Sequence, residues 1–460
     1  MSPSSRLAIA AGAAMLALTL QPAFANHTPT HTKAQIKKLN KKIKQRYTKA
    51  QVEALLAGKA DVGDSYTTNE SDARYRRYER TIVVPTGGTH AQNGAALQNA
   101  VAGISGTETD NGYVLLLEPG RYDLGSTPLV LPDYVSLLGS GRRNTVIDCE
   151  CGSATETSSA TLVTGLEAEV RSLEVQNVDT DDLFVHGISA GGDGDAEVRI
   201  SDVHVHVSGG PATEEVIGIR DPSKPIRIHD VEVRAVGGAN SYTGIQIGSL
   251  TGGTVEAEVT DVTAVAQTPA NFTAGIRLLN ADTSVDGGHF KASDALNNYA
   301  IYAEDSEVLI RGAHADATGG GAEYHAIFAL NSPLRVIGSV LDAVGQQAYG
   351  VTHRGDEAGV VLATVDSSTI RTESSLSGNG VAAEQFLGVG TPFLVVSGSQ
   401  IWVDPGDAVA RAGPAGTVHL GGTLMIGGDN LTSGVGAIGC TAVRDEDGDF
   451  FADTCPTDVP

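Results

Sequence analysis

From Thr81 onward the chain is a succession of short runs in which apolar and polar residues alternate, each run broken by Gly, Asn or Asp. Alternation of period two predicts β-strands with one buried face. Thr81-Ile82-Val83-Val84 reads as a first strand and Tyr113 to Leu117 as a fully buried one. Between them, Asn93 is placed to cap a helix whose apolar face is Ala96, Leu97, Ala100, Val101 and Ile104. Glu118-Pro119-Gly120-Arg121-Tyr122 reads as a turn into the next strand.

Beyond residue 160 the pattern repeats. A small residue followed by an aliphatic one recurs at Gly187-Ile188, Gly218-Ile219, Gly244-Ile245, Gly275-Ile276, Ala300-Ile301, Ala326-Ile327, Gly350-Val351 and Gly380-Val381, at intervals averaging about 28 residues. A second landmark recurs as Ser201-Asp202-Val203, His229-Asp230-Val231 and Thr260-Asp261-Val262. A unit of two or three short strands cannot bury its own apolar face, so units must stack into a solenoid with one continuous core. Turns of variable length with constant strand phase fit a parallel β-helix, right-handed by the bias of parallel crossovers. The unit is shorter than the roughly 40–45 residues of a four-stranded propeller blade, which weighs against a propeller or sandwich.

The region before Thr81 differs. Ile36, Leu39, Ile43, Tyr47 and Ala50 recur at helical spacing over residues 32–57, with lysines on the other faces. That pattern fits a short coiled coil, a basic helix on an anionic surface, or a solvated helix. The following Lys59-Ala60-Asp61-Val62-Gly63-Asp64-Ser65-Tyr66-Thr67 resembles linker repeats of trimeric phage tail fibres, which implies a homotrimer formed through residues 26–80. At the very start, Arg6, an apolar run from Leu7 to Leu20 and Pro22-Ala23-Phe24-Ala25 read as a secretory signal over residues 1–25. The run is shorter than the ~20 residues that span a bilayer, and no transmembrane segment is expected elsewhere. The expected location is therefore secreted, periplasmic or on the cell surface.

Charge sharpens this division. Residues 26–80 carry 13 Lys and Arg against 6 Asp and Glu, whereas residues 81–460 carry 17 against 49. The long acidic part repels phosphate, so no nucleic-acid partner is expected. An apolar fraction of 41% supports a real core and excludes wholesale disorder. Four cysteines suit an oxidising compartment. Cys440 and Cys455 bracket a short loop and are expected to pair, while Cys149 and Cys151 form either a local disulfide or two reduced thiols.

Residues 81–430 resemble the pectin-lyase-like right-handed β-helix superfamily. The resemblance lies in the helix at 93–104, in Leu116-Leu117-Glu118-Pro119-Gly120-Arg121-Tyr122 and in Val135-Ser136-Leu137-Leu138-Gly139-Ser140-Gly141. It implies an all-β, single-stranded, right-handed parallel β-helix solenoid with an N-terminal capping helix, preceded here by a helical stalk. The divisions expected are cap and first coils at 81–150, β-helix at 151–436 and a tail at 437–460.

The resemblance also implies that any polysaccharide cleavage occurs on the outer face of one sheet, where rungs stack carboxylates about 4.8 Å apart. Asp202, Asp230 and Asp261 share one register, preceded by Glu174, with His204, His206, Glu232 and Arg234 nearby. Such a ladder could take up Ca²⁺ to relieve its repulsion, acidify a uronate C5 proton, and use Arg234 or His204 as base. The same residues also read as ordinary outward-facing polar positions and turn formers, and that reading is the stronger of the two. Asp181-Asp182 with His186-Gly187, and Arg227-Ile228-His229, only partly match the motifs of the superfamily's hydrolases. The one Trp is Trp402, and Tyr and Phe look scattered, which argues against an aromatic glycan groove.

In the tail, Asp445, Asp447, Asp449 and Asp453 stand at alternate positions of a Gly-containing loop. Oxygen ligands so spaced suit a structural Ca²⁺, and the stretch resembles a thrombospondin type 3 calcium loop. The main expectation is therefore an exported, elongated structural or adhesive surface protein with a polysaccharide or cell-surface glycan partner. The alternative is a calcium-dependent polysaccharide lyase or related glycan-modifying enzyme.

Overall fold

The computed structural model describes residues 80–451, apart from 110, 180, 192–195, 238–239, 320, 356–358, 386–389, 405–407, 413–415, 428–429, 434–436 and 445–449. The signal, the basic helical stalk, Cys455 and the four calcium-loop aspartates lie outside the described residues.

The chain winds into a parallel β-solenoid whose turns each contribute to three sheets. The first sheet holds 198–201, 226–229, Val255–Thr260, Ala281–Asp286 and Glu307–Arg311. The second holds 203–209, 231–237, Thr263–Gln267, His289–Ser293 and His314–Thr318. The third holds Phe184–Ala190, Glu215–Asp221, Ser241–Gly248, Phe272–Leu279, Asn297–Glu304 and Glu323–Leu330. Every one of these strands pairs in parallel with its counterpart one turn on. The repeat read from sequence is the third sheet's register. Ile188, Ile219, Ile245, Ile276, Ile301, Ile327, Val351 and Val381 pair one after another down the inner face.

Alternation supplies the core. Val203, Val205 and Val207 are fully buried, as are Val233 and Ala235 above them, while the residues between point out. The landmark aspartates are corners rather than strand positions. Asp202, Asp230 and Asp261 have φ of 52°, 50° and 52°, the left-handed conformation that Asp tolerates better than most residues. Each turns the chain from the first sheet into the second within one residue. Serines line the same corner farther along, where Ser339 and Ser368 amides donate to the Ser368 and Ser399 hydroxyls (3.2 and 3.1 Å).

Among the described residues one α-helix, α1 (His90–Ala102), lies against the first turns with Leu97 and Val101 buried. Its cap is Thr89, not Asn93. Thr89 and Gln92 form a reciprocal capping box. Asn93 instead sits one turn in, accepting from the Gly88 amide and donating to the Arg121 carbonyl (3.2 and 3.1 Å). Gly94 lets the helix approach, since a Cβ there would sit 1.8 Å from the Asp123 carbonyl oxygen. Tyr122, fully buried, directs its hydroxyl at the Val84 and Glu118 carbonyls (2.9 and 3.0 Å). Cys149 and Cys151 form a local disulfide. Cys440 is also disulfide-bonded, its expected partner Cys455 lying outside the described residues. Among the described residues no helix is long and apolar enough to cross a membrane.

Candidate functional site

Asp202 and Asp230 stack at neighbouring corners, as their shared spacing predicted. Arg142 bridges them, at 2.7 Å from Asp202 and 2.5 Å from Asp230. The repulsion assigned to a divalent cation is thus relieved by a guanidinium. Burial pushes the Asp202 carboxyl upward, but the Ser172 hydroxyl at 2.7 Å and Arg142 outweigh it and hold the group below its usual range. Asp261 occupies the next corner, exposed. Ser172, not Glu174, precedes this row. Glu174 belongs to the second sheet's outer face, 3.6 Å from His204. His204 lines a cleft of about 410 Å³ with Arg142, Arg143 and Glu232. Arg234 is exposed and pairs in register with His206. Among the described residues no three His, Cys, Asp or Glu converge as a metal site.

The densest chemistry lies elsewhere, on the outer face of the third sheet. The residue before each small–aliphatic pair and the residue after it point outward, and successive turns stack them into two columns. One column runs Tyr299, His325, Tyr349. Its rings are nearly parallel, with centroids 5.2 and 4.6 Å apart. The other runs Arg277, Tyr302, Phe328. Tyr302 stacks on Phe328 at 5.4 Å, and the Arg277 guanidinium lies 5.3 Å from the Phe272 ring. Tyr302 donates to Glu304 (2.8 Å), and Arg354 covers Phe328 while pairing with Glu384 (3.2 Å).

His325 is fully buried at the centre of this patch. Its Nδ1 meets the Thr352 hydroxyl at 2.9 Å. Its Nε2 has no hydrogen-bond partner among the described residues and lies 3.7 Å from the Glu323 carboxylate. Burial lowers the imidazole's pKa, so His325 is neutral near pH 7, and the His325 contact holds Glu323 below its usual range. Burial and Glu323 push Tyr299 up to about 12, which keeps it a proton donor. A neutral imidazole beside a carboxylate and a protonated phenol can exchange protons with a bound molecule, and Glu323 would stabilise the imidazolium formed.

None of these residues stood out in the sequence, because they are about 25 residues apart and only the register gathers them. The available signal was the flanks of the repeat: Tyr299 and Tyr302 bracket Ala300-Ile301, and His325 and Phe328 bracket Ala326-Ile327. The expectation of scattered aromatics is corrected accordingly.

No family model matches the sequence, and no curated protein matches it. Solved structures do. The A-module of mannuronan C-5 epimerase AlgE6 from Azotobacter vinelandii is similar at 14% identity, covering 77% of this chain and 95% of that one, with a TM-score of 0.46. DFA-IIIase from Arthrobacter chlorophenolicus A6, in complex with DFA-III, is similar at 12% identity over 77% of this chain and 86% of that one, with a TM-score of 0.42. The A-module of the Azotobacter epimerase AlgE4 shows 13% identity over 77% and 88%, with a TM-score of 0.32.

Proposed function

We propose that this protein binds an extended polysaccharide along the outer face of its third sheet and modifies it there by proton transfer. The observation that carries the reading is the buried, neutral His325, enclosed by Tyr299 and Tyr349 and facing Glu323 with an unpaired ring nitrogen. Aromatic faces beside charged side chains suit sugars, which present both apolar C–H faces and hydroxyls. A buried imidazole held between two aromatic rings and beside a carboxylate has its proton affinity set by its surroundings, as acid–base sites require. The geometry therefore favours a glycan-modifying enzyme over a structural or adhesive protein.

Purified protein should be incubated with polyuronates and neutral polysaccharides, following unsaturated products and new reducing ends. Turnover is expected, falling roughly 100-fold or more in His325→Gln while binding persists. Binding without turnover would make the face adhesive, and absence of binding to every glycan would remove the reading. Within the same proposal, residues 1–25 export the chain, residues 26–80 trimerise it, and Asp445, Asp447, Asp449 and Asp453 hold a structural Ca²⁺. Sizing with and without residues 26–80, and melting with and without a chelator, test the last two.

A further inference from the structure

The outer face of the second sheet carries an open cleft that the third-sheet reading does not use. The loop after the strand Val135–Leu138 brings Arg142 and Arg143 over this face. Arg142 is held at 2.7 Å by Asp202 and at 2.5 Å by Asp230, so the loop is pinned to the corners of two successive turns. Between the loop and the sheet lies the cleft of about 410 Å³ lined by Arg142, Arg143, His204 and Glu232. That volume suits a small molecule or one residue of a polymer. The His204 side chain is 26% exposed, and Arg143 and Glu232 are exposed, so a dissolved molecule reaches all three.

Hydrogen bonds behind the cleft fix what it offers. Arg121 donates to both oxygens of Asp148 (2.9 and 3.0 Å) and to the Gln176 amide oxygen (3.3 Å). That contact turns the Gln176 amide nitrogen onto Glu174, to which it donates. Glu174 in turn stands 3.6 Å from His204 Nδ1. A carboxylate only accepts, so the imidazole keeps its proton on Nδ1 and offers Nε2 to the cleft as an acceptor. Glu232 pairs in register with His204 one strand on, about 4.8 Å away. Its carboxylate has no hydrogen bond or ion pair among the described residues, and neither has the Arg143 guanidinium. With Arg142 occupied by Asp202 and Asp230, Arg143 is the open cation of the four lining residues. The cleft thus presents two acceptors on neighbouring strands and one planar fork of donors. A guanidinium fork binds a carboxylate through two parallel hydrogen bonds, and the acceptors take hydroxyl protons.

We propose that Arg143, His204 and Glu232 form a binding site for a hydroxylated carboxylate, a free sugar acid or the acidic residue of a glycan, with the carboxylate on Arg143 and hydroxyls on His204 and Glu232. The site lies on a different sheet from His325 and stands without the reading of the third sheet. Glucuronate, titrated into the full chain by calorimetry, is the probe. It is expected to bind about tenfold more tightly than glucose, which lacks the carboxylate. Arg143→Gln removes that preference and leaves glucose binding as it was, whereas Glu232→Gln weakens both sugars. Both residues sit at the surface, so the variants fold. His325→Gln leaves glucuronate binding unchanged, so failure of the cleft and failure of the third-sheet reading are separate results. Both ligand sources support the site: oligouronates that bind through Arg143 more tightly than the monomer identify a glycan residue, and oligomers that bind no better identify a free sugar acid. In the wild-type protein, which needs no variant to fold, the His204 Nε2 nitrogen resonance should shift on adding glucuronate. Equal affinity for glucose and glucuronate, a preference that survives Arg143→Gln, serine binding as tightly as glucuronate, or an unmoved resonance overturns the proposal.

Discussion

His353 shows what a polar side chain inside the column does to stability. It is fully buried, and neither ring nitrogen makes a hydrogen bond among the described residues. Burial lowers its pKa from 6.5 to about 4. The unfolded chain therefore takes up this proton below pH 6.5, whereas the folded chain resists it until about pH 4. The contribution is intact above pH 6.5 and is lost as pH falls through that window, by about 3 kcal/mol. His186, His206, His289 and His325 are lowered by burial too and act with the same sign. His353→Leu should raise the urea midpoint at pH 7 and flatten its decline toward pH 4.5. An acid limb as steep as the wild type's would place the sensitivity at the other histidines.

Strands and corners obey tighter rules than single side chains. A Cβ at Gly218 would come 2.1 Å from Val233 Cγ1 and 2.6 Å from the Gly244 carbonyl oxygen of the next turn. Gly218→Ala should cost about 1–3 kcal/mol by overpacking, measured by chemical denaturation. A loss below the error of the measurement would mean that the third sheet yields at this position. Such steric demands made the repeat legible, because they recur at every turn and leave Gly or Ala in the same place. The corners were half legible. Asp202, Asp230 and Asp261 were found in register, yet an acid at a left-handed turn and an acid on a strand face are written identically. Arg142, which neutralises two of them, lies 60 residues before Asp202 and gave no local sign. The Tyr299–His325–Tyr349 column was hidden for the same reason, its members being neighbours only through winding. At the helix, Asn93 drew the cap assignment away from Thr89 because both residue types suit that position.

On the scale of the whole solenoid, each turn touches only the turns before and after it, so its ends are its weak points. Val84 and its strand pair on one side with Leu117, and α1 packs alongside. Gly94→Leu would force the helix off Asp123 and bare the first turns. Concentration-dependent association beyond the wild type's is the expected result by light scattering, because unpaired strand edges recruit other chains. An unchanged particle size would mean the helix is dispensable there. The unbroken register from Ile188 to Ile327 has a further consequence. Losing or duplicating a single coil between those residues would move His186 and His325 relative to each other by one fixed increment, without redesigning either. Evolution could thus change the length of the solenoid in whole graduations, leaving the coils on either side as they were.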